Sequence, residues 1–196
     1  MAQTQQRRAG HPVDARFVER WSPRAYTGEA LPKETLHSIL EAARWAPSGG
    51  NSQPWRFVYA LKGGPEWDTF VGLLLPGNRV WAERAGALVL LVSETHRLRD
   101  GVKVPSSFHS FDAGAAWQNI ALQARELGWS TRAIGGYERD AARKALGVSA
   151  GFDLEILIAI GRPGPKDVLP LELQEKEFPS PRRPLEELVF EGRFEA

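Results

Sequence analysis

The sequence predicts an α+β fold. Helical patterns are mixed with few strand patterns, and the two follow no regular βαβ period of the kind a doubly wound sheet requires. Two runs, AGALVLLVS and DLEILIAIG, read as short buried strands. The elements follow in order. The polar start, MAQTQQRRAG, is expected to fray, with residues 1–12 flexible. A short helix is expected from about Asp14 to Trp21, ended by Ser22-Pro23. Leu36, Ile39, Leu40 and Ala43 repeat at helical spacing, with Pro32 near the first turn and Pro47 past the end. WRFVYAL reads as a strand whose weak alternation predicts burial on both faces. PEWDTFVGLLL reads as a helix stopped by Pro76-Gly77-Asn78, and LRDGVKVPSSF reads as a loop. SFDAGAAWQNIALQARELG is the clearest helix: Ala116, Ile120, Ala121 and Leu127 lie on an apolar stripe, and Gly128 suits the C-cap. WSTRAI is a strand running into two glycines, and ERDAARKALG is a short helix.

The 196 residues suffice for one domain with a substantial core, and no repeat or internal linker divides them. A net charge of +1 gives no global field that would point to nucleic acid or an acidic membrane. The absence of cysteine removes disulfides, thiolate metal sites and cysteine nucleophiles together. The start lacks the apolar core of a signal peptide and AGALVLLV is too short to span a bilayer, so a cytoplasmic location is expected. The four histidines, at 11, 37, 96 and 109, have no metal-ligand spacing, and no metal is expected. GxxxxGK[ST], HExxH and GxSxG are all missing.

What remains are features suited to an anion and a flat ligand. RWSPR puts Arg20, Ser22 and Arg24 within five residues, a set able to clamp a phosphate and equally able to be a solvated basic turn. SPRRP adds Arg182 and Arg183. PSGGN and AIGGY offer backbone N–H groups without bulky side chains, which suits close approach of a ligand or a tight turn.

Taken together and in this order, these motifs resemble the nitroreductase family of FMN-dependent oxidoreductases, from about Phe17 to Leu188. The most specific element is AARWAPSGGNSQPW; Arg20-x-Ser22-x-Arg24, Asn78, AIGGY and the PRRPLEELV ending accompany it. The resemblance implies a central, mostly antiparallel sheet flanked by helices, and an intertwined homodimer with FMN sites at its interface. The extended tail, about 165–196, would then pack on the partner subunit. It implies that Arg20, Ser22, Arg24 and Arg182, with Arg183, hold the FMN phosphate. Trp21 stands beside them where many members have a basic residue or histidine, and Ser180 stands where many have lysine. It implies that Asn78 touches the flavin ring or ribityl chain. Pro47, Ser48, Gly49 and Asn51 would reach the flavin of the opposite subunit, and the Ile134-Gly135-Gly136 turn would aim a backbone amide at flavin N5.

The implied reaction moves hydride from NADH or NADPH through the flavin to a nitroaromatic, quinone or activated alkene, in a ping-pong cycle. Dehydrogenation, dehalogenation, flavin degradation and flavin storage without turnover are the competing readings. Because the hydride chemistry resides in the cofactor, no acid–base pair is needed among the side chains. The stretch RLRDGVKVPSSFHSF is a candidate lid in which Phe108 and His109 would stack on an acceptor.

Overall fold

The structure, a computed structural model, describes residues 7–194. The start of the segment expected to be flexible, residues 1–6, lies outside the described residues. Four strands form one sheet in the order β1-β2-β6-β5, antiparallel throughout: β1 Trp55–Leu61, β2 Ala87–Glu94, β5 Ser130–Ile134 and β6 Phe152–Gly161. A separate hairpin pairs β3 (His96–Arg99) with β4 (Val102–Pro105). The helices are α1 Ala15–Glu19, α2 Lys33–Arg44, α3 Trp67–Gly72, α4 Pro76–Ala82, α5 His109–Glu126, α6 Arg139–Ala145 and α7 Leu171–Gln174.

The sheet is covered on both faces, which is why β2 reads as an unbroken apolar run. Alternate residues point to opposite faces of a strand. Leu88, Leu90 and Val92 join Trp81, Phe70 and Tyr26 in one core; Ala87, Val89 and Leu91 join Leu36, Ile39, Ala116 and Ile120 of α2 and α5 in the other. Trp55 is buried in this second core, so the aromatic of the PSGGNSQPW stretch packs behind the turn.

Two sequence readings are corrected here. Pro76-Gly77-Asn78 does not merely stop a helix; Pro76 opens α4, where its missing N–H is no loss in the first turn. LRDGVKVPSSF is not a plain loop, because it carries the end of β3 and all of β4. Asp100 and Gly101 connect the strands at φ 51° and 78°, the paired left-handed conformation of a two-residue hairpin turn. The Asp-Gly pair was the available signal.

The segment after α1 is drawn against the far end of β6. Thr27 N–H donates to Arg162 O and Gly164 N–H to Ala25 O, while Tyr26 bridges to Pro163. The tail is fastened from the other side. The carboxylate of Glu177 accepts the backbone N–H groups of Arg24 (2.6 Å) and Ala25 (2.8 Å), with the Arg24 guanidinium 3.7 Å from its second oxygen. Glu177→Ala leaves two backbone donors without that acceptor, so a stability loss of about 1–3 kcal/mol is expected per group left unsatisfied. Urea unfolding measures the loss, and limited proteolysis should then cut between Leu169 and Arg182 sooner than in the wild type.

Candidate active site

A line of polar groups runs beside the edge strand β5. Arg20 Nη1 donates to Ser22 Oγ at 3.1 Å, and Arg132, on β5, donates to Ser22 O. The Arg132 guanidinium lies 5.7 Å from the centre of the Trp81 ring on α4. The same helix carries Asn78, whose Nδ2 donates to Gly136 O at 3.0 Å. Leu75 N–H reaches the same carbonyl at 3.3 Å. The glycine turn that follows β5 is therefore locked from the α4 side. A Cβ on Gly136 would stand 2.6 Å from Asn78 Nδ2, so glycine is required for this contact. Ile134 is buried as the last paired residue of β5, opposite Leu157, and Gly135 is exposed just beyond it.

Arg182 arrives from the tail and Arg7 from the N-terminal segment. Arg7 Nη1 donates to Arg20 O at 2.9 Å, and Arg7, Arg182 and Arg183 line one cleft of about 850 Å³. Burial, Arg182 and Arg7 together lower the Arg20 pKa from its ordinary value. Burial and Arg182 do the same to Arg7. Among the described residues, Arg7, Arg20 and Arg182 donate to Ser22 Oγ and to carbonyls at Arg20, Ser180 and Pro181, with no carboxylate among these partners. Clustered guanidiniums that donate to no carboxylate among the described residues suit a multivalent oxyanion, although Glu186 lines the same cleft. Arg7 was missed in the sequence because fourteen residues and a helix separate it from Ser22. Arg24 is less available than its motif suggests, since Glu177 sits beside it. Arg183 is outside the cluster proper, 3.9 Å from Glu187. Trp21 lines a smaller cleft of about 310 Å³ with Arg20, Trp129 and Pro163.

The PSGGN turn is held elsewhere. Asp112, buried in the first turn of α5, accepts Gly49 N–H at 3.1 Å, and Ser48 Oγ accepts Gln53 N–H at 3.0 Å. Gly50, Asn51 and Gln53 have φ of 60°, 55° and 46°. Two non-glycine residues in the left-handed region store strain, of order 1–3 kcal/mol each, that surrounding contacts must hold. No described hydrogen bond or ion pair joins Pro47–Asn51 to Arg20, Asn78 or Gly136 within the chain. Asp112→Ala is expected to release the turn, seen as faster amide exchange at Gly49–Gln53 while β2 and β6 keep their protection.

Phe108 lies against Gly49, where a Cβ would meet its ring at 3.7 Å. His109, the other residue expected to stack on an acceptor, has its ring nitrogens turned to polar groups of the chain. Its Nδ1 is 2.7 Å from Ser93 Oγ and 3.5 Å from Glu155 Oε1, and its Nε2 is 3.9 Å from Asp153 Oδ2. The hydroxyls of Ser93 and Ser110 both donate to Glu155, which assigns the Nδ1 proton to His109 as donor to Ser93. The ring fastens α5 to β2 and β6. Both its nitrogens face polar groups there, a setting that only the folded sheet assembles. Among the described residues no group of His, Asp and Glu could hold a metal ion, and no helix is long and apolar enough to cross a membrane.

The sequence profile of the Nitroreductase family matches residues 17–66 and 60–162. The chain belongs to the nitroreductase family. Its relatives include an Archaeoglobus fulgidus protein described as a putative NADH dehydrogenase/NAD(P)H nitroreductase, 32% identical over 153 residues, covering 74% of this chain and 81% of the relative. A crystal structure of an oxidoreductase containing FMN is 47% identical, with a TM-score of 0.94 over 100% of this chain and 99% of that one. A family structure from Desulfovibrio desulfuricans in complex with FMN is 31% identical, with a TM-score of 0.71 over 95% of this chain and 100% of that one. The nitroreductase fold is thus shared over the whole described chain. The locked glycine turn and the strained Gly50–Gln53 segment both sit within the residues matched by the family profile.

Proposed function

We propose that the chain is an FMN-dependent oxidoreductase working as a homodimer. It would draw hydride from NADH or NADPH and pass it to an electron-poor acceptor such as a nitroaromatic, a quinone or an activated alkene, in two separate half-reactions. The observation that supports the reading is the cluster of Arg7, Arg20 and Arg182, whose hydrogen-bond partners among the described residues include no acid. That donor set fits the phosphate dianion of FMN, and the 47%-identical solved structure described above is of an oxidoreductase containing FMN. When bound, FMN supplies the two-electron hydride chemistry.

The protein's part is binding and orientation. Arg20, braced by Ser22, and Arg182 hold the phosphate, with Arg7 closing over Arg20. Gly135 and Gly136 would face the ring, where the lack of side chains lets backbone approach a flat ligand closely. Asn78 keeps that turn in place by holding the Gly136 carbonyl. Pro47, Ser48, Gly49 and Asn51 would serve the site of the second copy, which accounts for their separation from Arg20 in one chain. Trp45 and Phe111, 73% and 80% exposed, and Leu171 of the tail, 77% exposed, offer apolar surface for that copy to cover.

The test is an anaerobic titration of purified protein reconstituted with FMN. A yellow protein bleached by a nicotinamide and recoloured by an acceptor is expected. Protein that takes up no FMN rejects the reading; FMN that no nicotinamide bleaches points to storage or to another flavin reaction. Sedimentation velocity checks the dimer, and a monomeric, fully active species would remove the role given to Ser48–Asn51.

A further inference from the structure

A second basic cleft, of about 850 Å³, opens between the Gly50–Ser52 turn and the β3–β4 hairpin. That volume is ample for part of a small-molecule ligand. Arg97 sits in its wall. The buried Nε of Arg97 has no hydrogen-bond partner among the described residues, and neither does the buried hydroxyl of Ser52 in the same wall. The guanidinium lies against the turn: a Cβ on Gly50 would stand 3.5 Å from Arg97 Nη1. Arg99 and Lys103 line the cleft as well. The carboxylate in the wall, Glu94, is already engaged by Arg56 at 3.5 Å and Lys103 at 3.4 Å. Asp100, at the hairpin tip, is not part of the wall. An arginine with a buried donor left unspent is a costly arrangement, and an anion seated in the cleft would relieve it.

We infer that this cleft binds a phosphate group of the dinucleotide co-substrate, through Arg97 and Ser52 with Arg99 adding charge. The inference rests on the oxidoreductase reading above, because the cleft shares the Gly50–Ser52 turn with the wall assigned to the flavin. The phosphate has two sources, the 2′-phosphate of NADPH or the pyrophosphate common to both nicotinamides. A bidentate guanidinium serves either one.

Titration calorimetry on FMN-loaded protein with adenosine 2′-monophosphate and with ADP separates them. Binding of at least one probe is expected, weakened about tenfold or more in Arg97→Gln, with FMN content unchanged. Loss confined to adenosine 2′-monophosphate, mirrored by a drop in kcat/KM for NADPH alone, assigns the 2′-phosphate. Equal loss for ADP and for both nicotinamides assigns the pyrophosphate. Should Arg97→Gln fail to fold, Ser52→Ala carries the test, with a weakening of roughly two- to tenfold expected. Wild-type protein that holds FMN but binds neither probe, or a folded Arg97→Gln that binds as the wild type does, overturns the cleft assignment alone. Wild-type protein that holds no FMN overturns the oxidoreductase reading instead.

Discussion

Arg20→Ala is expected to weaken FMN binding by about 1.5–3 kcal/mol, roughly 10- to 150-fold in Kd. Arg20 is half-buried, its hydrogen bond to Ser22 Oγ fixes the fork, and two further arginines press on it. Removing it takes away the donor fork that Ser22 holds in place, which Arg7 and Arg182 replace only in part. Arg20→Lys should recover only part of the loss, because an ammonium keeps the charge and loses the planar fork. Arg24→Ala should cost less FMN affinity than Arg20→Ala. The Arg24 guanidinium is partly committed to Glu177, so its loss falls more on the tail anchor than on the phosphate. Fluorescence titration of apoprotein with FMN ranks the three variants. Equal Kd values for wild type and Arg20→Ala would remove Arg20 from the phosphate site.

Gly161→Ala should be the most damaging single methyl that can be added to the sheet. At the end of β6, a Cβ there would stand 2.4 Å from Tyr26 Cγ and 2.5 Å from Cδ1. Tyr26 cannot step aside. It is fully buried, its ring centre is 6.2 Å from that of Trp81, and its neighbours pair with Arg162 and Gly164. Overpacking a tight core commonly costs about 1–3 kcal/mol, and a clash with a trapped ring belongs at or above the top of that range. A fall in the urea midpoint with an unchanged m-value measures it. The double variant Gly161→Ala/Tyr26→Ala should lose less than the sum of the two singles, because removing the ring removes the clash. FMN binding should weaken too, since Tyr26 lies two residues after Arg24 and any shift of that segment moves the arginines.

Much of this was legible in the chain because it depends on local pattern. The α2 and α5 stripes, the β2 and β6 runs and the glycine pair after β5 each follow from spacing or side-chain size. The PSGGNSQPW stretch is long enough to mark a family without any structure. The missed pieces were of two kinds. The β3–β4 hairpin and α4 were local but hidden by strong breakers, Asp-Gly and Pro-Gly, which open elements as readily as they end them. Arg7, Arg97, Glu177 and the His109 cluster were non-local. Nothing in His109's own neighbourhood reveals that Ser93 and Glu155 will close on it, and Glu177 lies 153 positions from the backbone it fastens.

The sequence by itself determined the α+β class, the two-sided burial of the central strands and the family, together with the residue types of an anion-and-flat-ligand site. These are matters of periodicity, composition and contiguous motif. Only the tertiary structure decided which arginines stand together with no carboxylate among their described hydrogen-bond partners, and that Asn78 locks the Gly136 turn. It also placed Trp55 in the core and left Arg97 with a buried donor unspent. Those outcomes depend on where distant segments meet, because charges and hydrogen bonds act over a few ångströms of space and not along the chain.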